Sequence, residues 1–216
     1  MKIQAILFDL DRTLGIDHSL EGGVLEGLAE QEGVSLSQNR LLTVLSHFHT
    51  GKISLHKMLS ELFPKRSRTE LKHLAEKYRK ICVGKGKETF TLLPGSEETV
   101  EKLLKKQIFV GIFTNGWTEL QKAKAHALGF PVPLITSEEI GFWKPNPKAF
   151  HEAVKRFGVS TDTTLYVGDS FELDIVGSKK AGLLAGWVNL EGHSAPAKEP
   201  LPDFIFHSLL DLLDII

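Results

Sequence analysis

Six short apolar runs punctuate the chain, at residues 3–10, 108–114, 133–136, 164–167, 184–188 and 203–206. Their length and near-continuous hydrophobicity suit strands buried on both faces of a parallel sheet. Beyond residue 90 they are separated by stretches of helical period, marked by Val100, Leu103 and Leu104, then by residues 120–128, 147–157 and 173–181, the last three closed by Gly129, Gly158 and Gly182. Strands alternating with helices predict one parallel sheet with helices on both faces. The first run must join that sheet, because nothing near it in sequence would cover it.

Between the first run and the rest, from Leu20 to about Cys82, the period is helical throughout. Four amphipathic faces follow one another: Val24, Leu25 and Leu28; Leu41, Leu42, Leu45 and Phe48; Leu55, Met58, Leu59 and Leu62; Leu71, Leu74, Ala75 and Tyr78. Ser67 and Glu70 have the spacing of a capping box at the start of the fourth. This stretch is expected as an insertion forming a small helical cap. The expected division is therefore a core of residues 1–15 and 91–216 and a cap of residues 16–90. Residues 194–202, with three prolines, read as a surface loop.

With 216 residues, 42% hydrophobic and 25% charged, the chain can bury a real core with such an insertion. Lys and Arg total 26 against 27 Asp and Glu, so no global field favours nucleic acid or an anionic membrane. No apolar run is long enough to span a bilayer. Cys82 is the only cysteine, which excludes an internal disulfide and every Cys-pair metal motif and fits a reducing compartment. A soluble, cytoplasmic monomer or homodimer is expected, with neither nucleic acid nor membrane as partner.

Four motifs carry chemistry. Asp9-Leu10-Asp11-Arg12-Thr13 ends the first run, where open α/β sheets place their ligands. Two-residue spacing on extended chain puts both carboxylates on one side, where they can hold a hard cation and divide the work of nucleophile and general acid. Thr114-Asn115-Gly116 follows the second run and offers a hydroxyl and loop amides to phosphate oxygens. Lys144, stiffened by Pro145, can neutralise a phosphate or an aspartate. Gly168-Asp169-Ser170-Phe171-Glu172-Leu173-Asp174 follows the fourth run, and Asp169 at the strand end suits Mg²⁺. Each motif alone has an ordinary explanation as a turn, a cap or a solvated charge. Together, in this order and each following a different strand, they converge on one crevice.

In that order the motifs resemble the haloacid dehalogenase-like superfamily, and the resemblance covers essentially the whole chain, the inserted helical cap included. It implies a Rossmann-like α/β core and an aspartyl-phosphate phosphatase. By this resemblance Asp9 is the nucleophile and Asp11 the general acid and then base. Thr114 and Asn115 hold the phosphoryl group, and Lys144 stabilises its charge. Mg²⁺ is held by Asp9, Asp169 and the Asp11 carbonyl, with Asp174 and Thr13 in support. The implied substrate is a small phosphorylated metabolite, such as a nucleoside monophosphate or a phosphoglycolate-like ester. The stretch TNGWTELQKAKAHALG is similar to the branch containing pyrimidine 5′-nucleotidases. Arg12 stands where many relatives have glycine, Leu173 where a polar residue is common and Asn146 where an Asp often follows Lys-Pro; none removes a reacting atom.

Three alternatives remain. A 2-haloacid dehalogenase of this fold needs no second acid, so Asp11 and Thr13 argue against it. A phosphosugar mutase commonly carries a branched apolar residue at the place of Thr13. A catalytically silent binding or regulatory protein would typically have lost a motif aspartate or the lysine. Nine Lys and Arg between Lys65 and Lys87 read as a solvated face, and His47 and His49, two apart on a helix, diverge rather than share a metal.

Overall fold

The computed structural model describes every residue except 1, 19, 130, 195 and 197–199, so the loop expected over residues 194–202 lies partly outside it. All six apolar runs form strands of one sheet: β1 (Ala5–Phe8), β4 (Phe109–Thr114), β5 (Leu134–Thr136), β6 (Thr164–Gly168), β7 (Leu184–Val188) and β8 (Phe204–Phe206). Their order is β5-β4-β1-β6-β7-β8 and every pairing is parallel. The N-terminal strand is thus central, between β4 and β6, and its apolar side chains Ile6, Leu7 and Phe8 are fully buried. Ile6, Phe8, Ile112, Leu165 and Val167 build the core on one side of the sheet, and Leu7, Phe113, Phe150 and Tyr166 the core on the other. Because β1 is covered on both faces, the strand end that follows it is held on all sides.

The inserted segment forms four helices, α1 (Leu20–Gln31), α2 (Gln38–His49), α3 (Leu55–Leu62) and α4 (Arg68–Thr89). Ser67 and Glu70 make the expected capping box on α4. Leu25, Leu28, Met58, Leu59, Leu62 and Tyr78 are buried in a core of their own, completed by Leu120 on α6 (Thr118–Ala125) and by Trp117 just before it. At about 1.5–3 kcal/mol per fully buried large apolar side chain, this cluster is the main force holding the four helices together.

The structure departs from the sequence-based reading in four places. The fourth helix does not stop near Cys82 but runs through Gly84 and Gly86 to Thr89. Gly86 is buried against α6, where an added Cβ would lie 2.9 Å from Leu120 Cδ1, so the bare backbone permits the close approach of α4 and α6. Leu42, placed by periodicity on the buried face of α2, is exposed, and Val44 takes the inward position. Residues 173–181 are not one α-helix: a wider π-type turn over Phe171–Val176 precedes a short α-helix at Gly177–Lys180. Finally, the crossings between the helical segment and the sheet pair with each other, Gly15–Asp17 (β2) running antiparallel to Phe90–Leu92 (β3). No helix among the described residues is long and apolar enough to cross a membrane.

Candidate active site

The strand order decides what meets at the sheet's C-terminal edge. Asp9 follows β1, Thr114 ends β4 and Asp169 follows β6, so three motifs far apart in sequence stand side by side. The Asp9 N–H donates to the Val167 carbonyl at 2.9 Å, which extends the ladder to the carboxylate-bearing residue. Thr114 is buried; its hydroxyl donates to the Asn115 carbonyl at 3.4 Å and helps to hold the Asp9 carboxyl down.

Lys144 reaches this point from the loop between α7 (Ser137–Ile140) and α8 (Pro147–Phe157). Its ammonium is fully buried and lies 2.8 Å from Asp9 Oδ1, 2.7 Å from Asp174 Oδ1 and 2.7 Å from the Tyr166 hydroxyl. It donates hydrogen bonds to Tyr166 and Asp174 and is ion-paired with Asp9. Burial works against the charge on Lys144, but Asp174 and Asp9 outweigh it and keep the amine protonated. Burial likewise pushes the Asp9 carboxyl up, and the Lys144 ammonium opposes that push.

The Asn115 side chain grips the Lys144 backbone at both ends: its Nδ2 donates to the Lys144 carbonyl at 3.2 Å and its Oδ1 accepts from the Lys144 N–H at 2.9 Å. Its side chain therefore fixes the lysine loop instead of reaching for phosphate, which leaves the Asn115 main-chain N–H as what this residue offers an anion.

Asp169 is positioned by its backbone, whose N–H donates to the buried Thr13 hydroxyl at 3.1 Å. Asp9, Asp169 and Asp174 each present an oxygen within 4.8 Å of the others. Asp174 is already engaged, by Lys144 and by the Ser170 N–H at 2.9 Å. Asp9 and Asp169, each with one oxygen outside its ion pair to Lys144 or Arg12, and the Asp11 carbonyl, to which no backbone N–H among the described residues donates, are the groups left for a cation. This all-oxygen set fits Mg²⁺.

Burial, with the charges of Asp174 and Asp9 beside it, pushes the Asp169 carboxyl up to about 7. A folded-state value above the unfolded one means that this group's contribution to stability is lost as pH rises toward 7 in the metal-free protein. A cation needs the deprotonated form, so Mg²⁺ affinity is expected to rise with pH up to about 7 and then level off. Calorimetric titration at about pH 5.5 and about pH 8 checks this; equal affinities at both would contradict it.

Gly168 explains its own place in the motif. A Cβ there would sit 2.3 Å from Asp174 Oδ2, an atom locked by its hydrogen bond to Ser170. Gly168→Ala is expected to destabilise the protein by about 1–3 kcal/mol in denaturant unfolding, the range for forcing atoms into a packed site. Arg12, where many relatives carry glycine, adopts a left-handed backbone (φ 63°) and pairs its Nε with Asp169 Oδ2 at 3.1 Å.

Asp11 turns the other way, toward α6. Its Oδ1 accepts from Lys124 Nζ at 2.9 Å and its Oδ2 from Gln121 Nε2 at 3.1 Å. Lys124, buried, also pairs with Asp17 Oδ2 on β2 at 2.8 Å. Burial pushes the Asp11 carboxyl up further than Lys124 and Gln121 pull it down. Gln121 and Lys124 were not among the residues expected from sequence.

These groups line a cavity of about 790 Å³ that also takes in Glu21, Glu26, Leu42, Phe48 and His49 from the helical segment. His49 pairs with Glu21 rather than with His47. None of the nine basic residues between Lys65 and Lys87 lines it; Arg79 instead sits 5.0 Å over the Trp117 ring and pairs with Glu138. Trp143 packs on the backbone of Gly51, 2.9 Å from where a Cβ would be.

An α/β sheet with a buried, lysine-paired aspartate at the end of its central strand narrows the choice of fold family, and comparison with known proteins identifies it. The model of the haloacid dehalogenase-like hydrolases matches residues 3–182, and the chain belongs to that family. A glyceraldehyde 3-phosphate phosphatase of Methanothermobacter thermautotrophicus is 38% identical over 101 residues, 45% of each chain, so the match spans under half of that relative's length. The pyrimidine 5′-nucleotidase PynA of Streptococcus pneumoniae is 26% identical over 98% of this chain and 94% of its own. Among solved structures, a 2-haloacid dehalogenase of Pseudomonas syringae superposes with a TM-score of 0.76 at 25% identity, covering 99% of this chain and 97% of that one.

Proposed function

We propose that the protein is a Mg²⁺-dependent phosphatase of small phosphomonoesters that works through an aspartyl-phosphate on Asp9. The observation that carries this reading is the pairing of a Lys144-held carboxylate, Asp9, with a second aspartate, Asp11, turned toward different partners and biased toward holding a proton. Asp9 attacks phosphorus and forms the new P–O bond while the ester P–O bond breaks. Asp11 gives its proton to the departing oxygen. It then takes one from the water that attacks the aspartyl-phosphate, which frees Asp9 and inorganic phosphate. Thr114, the Asn115 N–H and Lys144 face the phosphoryl oxygens. Mg²⁺, held by Asp9, Asp169 and the Asp11 carbonyl, would supply the charge that offsets those oxygens.

The helical segment, residues 16–90, acts in this reading as a cap, joined to a core of residues 1–15 and 91–216 through the β2–β3 ladder. The glyceraldehyde 3-phosphate phosphatase and pyrimidine 5′-nucleotidase relatives support a phosphomonoester substrate. The proposed setting is cytoplasmic, as a monomer or homodimer.

Phosphate release from a panel of monoesters, with Mg²⁺ and with excess EDTA, tests the proposal. Turnover is expected only with the metal, and Asp169→Ala is expected to abolish it or to raise the Mg²⁺ requirement sharply. Full activity in EDTA would contradict the reading and favour dehalogenase-type attack on carbon.

A further inference from the structure

Six carboxyl groups but only four basic side chains line the catalytic cavity, and with a proton on Asp11 the acids still outnumber the bases, since buried Asp174 behind the lining also draws on Lys144. Every one of the four already has an acidic partner: Lys144 holds Asp9 and Asp174, Lys124 holds Asp11 and Asp17, His49 holds Glu21, and the largely exposed Arg12 holds Asp169. Mg²⁺ and a phosphoryl dianion cancel each other, so substrate and metal together leave this surplus of negative charge in place. Glu26, whose carboxylate accepts from the Gln38 amide, has no basic partner among the described residues and faces the same space. A second anionic group on the substrate would therefore meet carboxylates from the helical segment with no uncommitted cation to receive it.

The remaining lining has a different character. Leu42 is 63% exposed on a helix whose other apolar residues are buried, and it borders the cavity together with Phe48 and Trp143. Glu21, Glu26 and Gln38 supply hydrogen-bond acceptors beside that apolar surface. Acceptors next to an apolar wall suit hydroxyl groups on a carbon skeleton. A volume of about 790 Å³ admits anything from a triose to a nucleoside.

We propose that the substrate's leaving group is uncharged and bears hydroxyls: the ester is one of a short aldose, a polyol or a nucleoside, with no carboxylate and no second phosphate. This rests on the phosphatase reading above. It separates the protein from enzymes of the same fold whose esters carry a carboxylate beside the phosphate.

The test uses the whole chain with Mg²⁺ and measures kcat/KM for p-nitrophenyl phosphate, glyceraldehyde 3-phosphate, 3-phosphoglycerate and uridine 5′-monophosphate. Glyceraldehyde 3-phosphate and 3-phosphoglycerate share a skeleton and differ by an aldehyde against a carboxylate. The aldehyde ester is expected to be preferred by about tenfold or more, as like-charge juxtaposition requires. Glu21→Gln combined with Glu26→Gln is expected to narrow the ratio by raising the rate on 3-phosphoglycerate. Should the double variant fail to fold, Glu26→Gln alone, at an exposed position, carries the same expectation. Equal or faster hydrolysis of 3-phosphoglycerate by the wild-type protein would overturn the proposal, as would turnover of the aryl ester with neither uncharged-group ester hydrolysed. No release from any ester, the aryl phosphate included, would instead overturn the phosphatase reading and this proposal with it.

Discussion

Lys144→Met is expected to cost the protein about 3–5 kcal/mol of stability, the penalty for leaving a buried charge without its partner. The methionine keeps the length and apolar stem of the lysine but removes the one cation among the described residues that is ion-paired with both Asp9 and Asp174. Asp174 is fully buried, so its carboxylate would be stranded. Turnover is expected to fall by about 10²–10³ or more, because a fixed charge aimed at the transferring group is lost together with the restraint on the nucleophile. Adding Asp174→Asn to this variant should recover part of the stability and none of the activity. Denaturant unfolding beside phosphate-release assays separates the two effects; a stable and active Lys144→Met protein would contradict the account.

Asp9→Asn is expected to do the opposite, removing turnover while sparing the fold. The amide has nearly the shape of the carboxylate, and Lys144 keeps Asp174 and the Tyr166 hydroxyl as partners when the charge on residue 9 is gone. An amide oxygen is too weak a nucleophile to displace an alkoxide from phosphorus. The two substitutions thus sort residues that hold the site together from the residue that reacts.

The six strands were legible because each is a short apolar run and β-α alternation admits few topologies. The convergence of Asp9, Thr114 and Asp169 was legible for the same reason, since ligands collect at the strand ends of such a sheet; Lys144 follows no strand and arrives from the loop between α7 and α8, so the expectation that it too ends a strand does not hold. Gly84 and Gly86 misled because glycine disfavours a helix by only about 1 kcal/mol, which the packing of α4 on α6 overrides. Leu42 misled because periodicity records which residues are apolar and not whether they face a protein core or a cavity. Lys124 and Gln121 were hidden because a lysine on a helix reads as solvated. Only the fold reveals that Asp11 and Asp17 lie on either side of that lysine. Asn115 was identified as part of the site, but its grip on the Lys144 backbone depends on a loop about thirty residues away along the chain. Three-residue strands such as β2 and β3 leave almost no pattern, so the ladder linking the helical segment to the sheet emerged only in three dimensions.

The central claim is that phosphate passes through Asp9. Mixing the Mg²⁺-loaded protein with an aryl phosphate, quenching in acid within the first turnover and mapping the peptides by mass spectrometry tests it most directly. A phosphoryl group on the peptide containing Asp9, at that residue and absent from Asp9→Asn, is the predicted result. Phosphate on any other side chain, or an Asp9→Asn protein that turns over at the wild-type rate, would contradict it.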